Sequence, residues 1–277
     1  MQIINRAATS IKHVIVIRII AVMAAIIVSG FLIALLGYNP LIVYSNMIKG
    51  ALGSNIRIKA TLLEMIPLTI TSLGILIAFK MKFWNIGGEG QILMGAFAAS
   101  YVALKIDWIP SFLVLPAMFL AGFLAGGFWA LIPAFFKAKF GANETIMTLM
   151  LNYIAVQWIT YLQYGPWRDP KAMGFPKIPN FPQQALLPKV FGIHAGLIIS
   201  LILVAIITWF MKKTKKGFEI AVVGESVGTA KYAGMDVFKI IIFAMLLSGG
   251  LCGITGMIQT SGVNKTLTFN ASSGYGN

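Results

Sequence analysis

Between Lys82 and Lys105 the chain carries the run Phe83-Trp84-Asn85-Ile86-Gly87-Gly88-Glu89-Gly90-Gln91. Two amides, Asn85 and Gln91, and one carboxylate, Glu89, can hydrogen-bond the hydroxyls or ring edges of a polar solute. Gly87, Gly88 and the following Gly90 let the backbone itself come close to that solute. The 15 residues from Ile92 to Ile106 stop at the charge of Asp107 and would make a helix of about 22 Å, short of a roughly 30 Å hydrocarbon core. The stretch between the two lysines therefore crosses a bilayer only with the polar run inside it. Irregular polar backbone at that depth survives only when buried in protein or lining a wet cavity. The run reads as part of a solute pathway, with Trp84 placed to stack on a planar solute.

A second set of polar residues sits further along. Glu144, Thr148 and Asn152 recur at i, i+4 and i+8 and so share one stripe of a helix. In an apolar span such a stripe faces protein or water, because facing lipid would leave each group unpaired. It is either a wall of the pathway or a set of interhelical hydrogen bonds, each worth about 1 kcal/mol. Asn143 is placed to cap this helix, and Glu144 is favoured by the positive helix end. Glu64 is followed by Pro67 and by Thr69, Thr71 and Ser72, a pattern that predicts a distorted helix whose hydroxyls take up freed carbonyls.

Other chemistry is not indicated. Lys265-Thr266 is preceded by Asn264 where a phosphate-binding loop needs glycine, and no Gly-x-Ser-x-Gly or His-Glu-x-x-His occurs. The single cysteine, Cys252, lies in an apolar run, and His13 and His194 are far apart, so no metal site is expected.

The elements that must position these residues are membrane helices. Of 277 residues 58% are hydrophobic and 11% charged, with a mean hydropathy of +0.85, the profile of an integral membrane protein. The net charge of +14 comes from lysines and arginines clustered between long apolar runs. Cytoplasmic loops and contact with anionic membrane lipids explain that pattern, and no nucleic acid is implied. Seven spans are expected, at 14–36, 62–79, 86–104, 110–135, 144–164, 194–211 and 240–260. The first follows Arg6 and Lys12, contains Arg18, and is too long for a cleavable signal. With the N-terminus inside, Lys80 and Lys82, Lys137 and Lys139, and the Lys212–Lys216 cluster all fall on the cytoplasmic side. Lys49, Arg57 and Lys59 then fall outside, in a loop whose apolar residues suggest a helix resting on the outer interface. Residues 165–193 carry six prolines and form an outer loop, suited to docking an extracytoplasmic partner. The polar stretch from Gly262 onward looks like the lead-in to a further span, so the chain is expected to be C-terminally truncated.

These residues resemble bacterial ABC-transporter permeases of the nucleoside and simple-sugar uptake type, within the branched-chain amino acid and ribose permease superfamily. The resemblance rests on Pro67-Leu68, Ala78-Phe79, the run from Asn85 to Gln91, Asn143-Glu144, and Thr148 through Ala155. It continues through Gly217-Phe218-Glu219, Ala221 through Gly224, Ala230 through Met235, and Ser248-Gly249-Gly250. It implies an all-α polytopic transmembrane helical bundle with a broken glycine-rich helix, forming a single permease domain over 1–277. It implies a multi-pass subunit of the bacterial plasma membrane that is not itself an enzyme. It has no cofactor of its own, since ATP is bound by the partner subunit. Cytoplasmic ABC ATPase subunits, a second permease subunit and an extracytoplasmic substrate-binding lipoprotein are the implied partners. The Asn-Ile-Gly-Gly-Glu-Gly-Gln form implies nucleosides, with ribose or other simple sugars, or an ion-coupled secondary transporter, as alternatives. The pathway residues would be Asn85, Gly87, Gly88, Glu89, Gln91, Glu144, Thr148 and Asn152. The segment 212–239 would couple to the ATPase through Gly217, Glu219, Gly224, Ala230, Tyr232 and Gly234. The importer motif Glu-Ala-Ala-x-x-x-Gly is matched only at Ala230 and Gly234, with Gly228 and Thr229 in its first two places.

Overall fold

Hydropathy dictates the architecture, and in the computed structural model a helix covers each of the seven apolar stretches. The structure describes residues 11–106, 108–190, 192–272 and 274–276, except the side chains of residues 11 and 12. Arg6, Asp107, Asn277 and the side chain of Lys12 therefore lie outside the description. Among the described residues six helices are long and apolar enough to cross a membrane. They are α1 (Ile11–Leu35), α3 (Asn55–Lys80), α5 (Ser111–Phe140), α6 (Glu144–Tyr164), α7 (Gly196–Lys213) and α10 (Val237–Ile258). The remaining stretch forms α4 (Gly88–Lys105), whose 18 residues open on Gly-Glu-Gly-Gln and are diluted by glycine, serine and alanine.

Contacts divide the described chain inside α3 into a first unit ending at Thr61 and a second beginning at Leu62. The first unit holds α1 and α2 (Pro40–Leu52), the latter in the loop where an interfacial helix was expected. Asn39 caps α2 by accepting from the Leu41 N–H, and Pro40 stands where its missing N–H costs nothing. The Tyr44 hydroxyl donates to the Ile26 carbonyl at 2.7 Å and lies 2.8 Å from Ser29 Oγ, which fastens α2 to α1.

The second unit is built around α4, α5 and α10. Lipid tails are as apolar as leucine, so membrane helices associate by close van der Waals packing of small residues. Here α10 carries Ser248-Gly249-Gly250 and then Gly253 and Gly256. A Cβ on Gly253 would sit 2.0 Å from the Gly122 carbonyl oxygen of α5, and one on Gly256 2.0 Å from the Ile92 oxygen of α4. The three helices thus touch backbone to backbone. Pro67, expected to distort α3, lies buried inside a helix that runs unbroken to Lys80.

At one end of the second unit the proline-rich segment is an ordered strap. It contains a 3₁₀ turn at Gln183–Ala185 and a hairpin of β1 (Lys189–Val190) with β2 (Ile193–His194). The segment following α10 pins it down: Phe181 N–H donates to the Lys265 carbonyl at 2.8 Å, and Thr266 Oγ1 to the Ile178 carbonyl at 2.8 Å. On the other side, α8 (Lys215–Glu225) and α9 (Val227–Tyr232) fill the stretch between α7 and α10.

Backbone contact this close leaves no room for a side chain. Gly253→Val should destabilise the protein by about 2 kcal/mol or more, read as a lower thermal midpoint in detergent. Gly50→Ala inside α2, where an added Cβ meets nothing within 4 Å, should not lower the midpoint.

Candidate functional site: the break between α3 and α4

Helix α3 ends in a tight corner. The Phe83 N–H reaches back to the Ala78 carbonyl (3.1 Å), that of Lys82 reaches Phe79 (3.0 Å), and Lys82 takes a left-handed φ of 57°. Phe83 is buried, and Trp84 is 61% exposed with its ring against Phe79, centroids 5.5 Å apart. The chain then runs irregularly until the first helical bond of α4, from Gln91 N–H to the Gly87 carbonyl (3.1 Å).

A small amide network closes this irregular stretch. Asn85 and Gln91 pair through both amides. Asn85 Nδ2 donates to Gln91 Oε1 (3.2 Å), and Gln91 Nε2 donates to Asn85 Oδ1 (3.0 Å). Asn85 Oδ1 also accepts from the Gly87 N–H, while its Nδ2 donates to Ser248 Oγ at 3.2 Å. From α6, Asn152 bridges the break: Oδ1 accepts from Gly90 N–H (2.8 Å) and Nδ2 donates to the Ile86 carbonyl (2.9 Å). All four side chains are buried. Ser248 is the twelfth of the 22 residues of α10, which places Asn85 about 17 Å along that helix. That is near the middle of a hydrocarbon core of roughly 30 Å.

The other expected pathway residues gather at the same place. A Cβ on Gly87 would lie 3.0 Å from Thr148 Cβ, and one on Gly90 would lie 2.9 Å from Asn152 Oδ1. Thr148 Oγ1 itself bonds back to the Glu144 carbonyl (2.8 Å). Glu144 pairs with Lys137 of α5 at 2.7 Å. Asn143 caps α6 as its sequence position suggested, accepting from Thr145 and Ile146. Glu89 differs from these buried groups. It is half-buried at the N-terminus of α4, a position that favours a negative charge, and accepts from Ser272 Oγ at 2.9 Å.

Sequence reading missed the groups that complete the site from far away. Ser248 was noted only as part of a glycine-rich span. Ser272 and Tyr275 lie in the terminal segment, where Tyr275 hydrogen-bonds Glu64 of α3. Gly276 approaches Gly88 so closely that a Cβ on it would lie 1.9 Å from the Glu89 nitrogen. The indole Nε1 of Trp129 on α5 is buried against Gly90 and has no partner among the described residues. The only early signal of these contacts was the polarity of residues 262–277.

The segment 212–239 sorts its six expected coupling residues into two groups. Gly217, Glu219, Gly224 and Ala230 are buried. Gly217 packs on the Phe210 carbonyl, and Glu219 pairs with Lys216 at 2.8 Å. A Cβ on Gly224 would lie 2.0 Å from the Lys80 carbonyl oxygen, so α8 rests on the end of α3. Tyr232 is 95% exposed, and Gly234 takes a left-handed φ of 73° with open space around it.

Deleting the bridge tests the network. Asn152→Ala should cost about 1–3 kcal/mol because it strands the Gly90 N–H and the Ile86 carbonyl. The readout is the thermal midpoint in detergent, and Tyr153→Phe on the outward side of the same turn should leave that midpoint in place.

The geometry can now be set against known proteins. The family described as branched-chain amino acid transport system / permease component matches residues 57–276. The chain is 32% identical to the glucose ABC transporter permease protein TsgB13 of Haloferax volcanii, over 93% of this chain and 71% of that protein. It is 32% identical to the guanosine ABC transporter permease protein NupP of Bacillus subtilis, over 91% of this chain and 73% of that one. It is 29% identical to the nucleoside ABC transporter permease protein NupB of Lactococcus lactis, over 94% and 74% respectively. No solved structure matches the chain. With the family match spanning the break and every helix that closes it, the chain belongs to the branched-chain amino acid transport system permease family and is a multi-pass ABC permease subunit of the plasma membrane, not an enzyme.

Proposed function

We propose that this subunit imports nucleosides, moving them past the break at 85–91 by alternating access driven by ATP that partner subunits bind and hydrolyse. The observation that carries the pathway is the polar, glycine-rich break held at about half the depth of α10. Supporting it are the half-buried Glu89 carboxylate and the unpartnered Trp129 indole beside that break. The cargo assignment is supported by the Asn-Ile-Gly-Gly-Glu-Gly-Gln run and by relatives whose names specify guanosine and nucleosides. A simple sugar is the second reading, favoured by the similarity to a glucose permease. Competition among labelled guanosine, ribose and glucose for uptake decides between them.

The partners follow from the same reading. Cytoplasmic ATPase subunits would seat on α9, whose Val227 and Tyr232 stand exposed as knobs for a groove. Gly217, Glu219, Gly224 and Ala230 would hold that surface in place. A second permease subunit would complete the path, and an extracytoplasmic substrate-binding lipoprotein would deliver the solute to the outer strap.

Two variants test the scheme in reconstituted transporter. Glu89→Ala should abolish nucleoside uptake while ATPase subunits still copurify; uptake at the wild-type rate would count against the pathway. Gly234→Trp places a bulky side chain where the backbone is left-handed and the surface open. It should cut ATPase capture and uptake together, and undiminished capture with undiminished transport would remove α9 as the docking element.

A further inference from the structure

Helix α6 has two faces, and the face turned away from the break carries tyrosines and an amide. Along it run Met150, Tyr153, Gln157, Tyr161 and Tyr164, spaced three and four apart and all exposed. Tyr153 is 67% exposed, and neither its hydroxyl nor the Gln157 amide has a hydrogen-bond partner among the described residues. They are the tenth and fourteenth residues of the 21-residue helix, about 14 and 20 Å along a rod of roughly 31 Å. Tyrosines of an interfacial belt belong at the helix ends, where Tyr164 stands. Tyr153 and Gln157 lie too deep for that role.

The neighbouring helix α5 shows what a lipid-facing surface looks like here. Leu120, Leu124, Phe128 and Ile132 are exposed at comparable depths without one polar side chain. Hydrocarbon offers a hydroxyl and an amide nothing to bond. The outward face of α6 must therefore meet water, solute or protein.

Rings connect this face to the outer surface. Trp167, at the start of the outer strap, stacks on Phe97 (5.4 Å) and on Tyr101 (6.2 Å), each at 29°. Phe97 meets Trp158 edge-on at 5.8 Å, and Trp158 lies 5.9 Å from Tyr161. At the outer end, Trp167 shares a cleft of about 330 Å³ with Lys105 and Arg168. At the inner end, Tyr153 follows Asn152, the residue that bridges the break. Aromatic faces hold a planar ring by stacking with little regard to which ring it is, and the hydroxyls and amide between them can take its polar edges.

We infer that the outward face of α6, through Tyr153, Gln157, Trp158 and Tyr161, is a binding surface for a planar heterocyclic solute on its way from the outer cleft to the break. This rests on the nucleoside reading and adds the surface over which the base travels. It places solute contact on the side of α6 opposite Glu144, Thr148 and Asn152, which hold the break together.

The test uses the full transporter in proteoliposomes, with guanosine as the probe and a membrane-impermeant maleimide as the label. The native Cys252 is buried and contributes no background. Tyr153→Cys and Gln157→Cys should react at least tenfold faster than Ile202→Cys on α7, and guanosine should slow that reaction. Trp158→Leu and Tyr153→Leu should raise the KM for guanosine uptake about tenfold or more, and Tyr153→Phe, which keeps the ring, should retain most of the affinity. Unreactive cysteines in a transporter that still takes up guanosine would overturn the inference and leave the nucleoside reading standing. A disulfide forming between two copies at Tyr153→Cys would overturn it too, assigning the face to subunit contact. Wild-type uptake of ribose or glucose without guanosine would instead overturn the nucleoside reading itself.

Discussion

A backbone that leaves helical geometry inside a bilayer must have its polar groups met by protein, because hydrocarbon supplies no partners. In this permease that requirement falls on seven or eight residues between α3 and α4, and a few amide side chains meet it. The Asn85 carboxamide uses both its oxygen and its nitrogen twice, on Gln91, Gly87 and Ser248. Asn152 supplies one donor and one acceptor to backbone that would otherwise be bare. Such bridges need close approach, which explains glycine at positions 87 and 90, where a Cβ would crowd Thr148 and Asn152. The glycine seams of α10 serve the same end at larger scale, since α4 and α5 must lie tight against it for Ser248 to reach Asn85.

The same closure ties the break to α8. Gly224 of α8 sits on the Lys80 carbonyl, and the chain from Lys80 to Asn85 is a tight corner with Lys82 in a left-handed conformation. Near that corner Glu144 of α6 holds Lys137 of α5 at 2.7 Å. A cleft of about 270 Å³ bordered by Met81, Phe83, Lys137 and Val227 lies between these parts. A shift of α8 therefore either drags the end of α3 or opens that contact. Only four residues separate Lys80 from the first amide of the break, so little of such a shift can be absorbed before it reaches Asn85.

How much of this was legible in the sequence varies with the physics of each element. The helices were, because apolar runs long enough to cross a membrane have few other uses. The polar break was too, since Asn85, Glu89 and Gln91 have no place in a lipid-facing helix. The buried stripe of α6 followed from periodicity, as Glu144, Thr148 and Asn152 share a face at helical spacing. The partners of these residues were not legible. Ser248 lies 163 positions from Asn85, and nothing local marks it. Helices α8 and α9 fill the segment expected to couple, but at 11 and 6 residues they are too short for periodicity to mark which side is inward. Thus Gly217, Glu219, Gly224 and Ala230 turn out to pack inward, and Tyr232 stands free.

The terminal segment adds the last constraint. Glu64 and Glu89 are carboxylates within membrane-spanning stretches, and each takes a hydroxyl donor from this segment, Tyr275 and Ser272 respectively. A carboxylate at such depth needs a donor at all times. If Glu89 meets the solute as proposed, a solute hydroxyl would displace the Ser272 hydroxyl, exchanging one O–H···O bond for another of the same kind. The net gain from that exchange is small, because the site is already satisfied when empty. Weak net binding is what a passage site requires, since it must be favourable enough to enter and not so favourable that the solute stays. On that reading a bare carboxylate would hold its cargo, and the Ser272 hydroxyl would set the site to let it go.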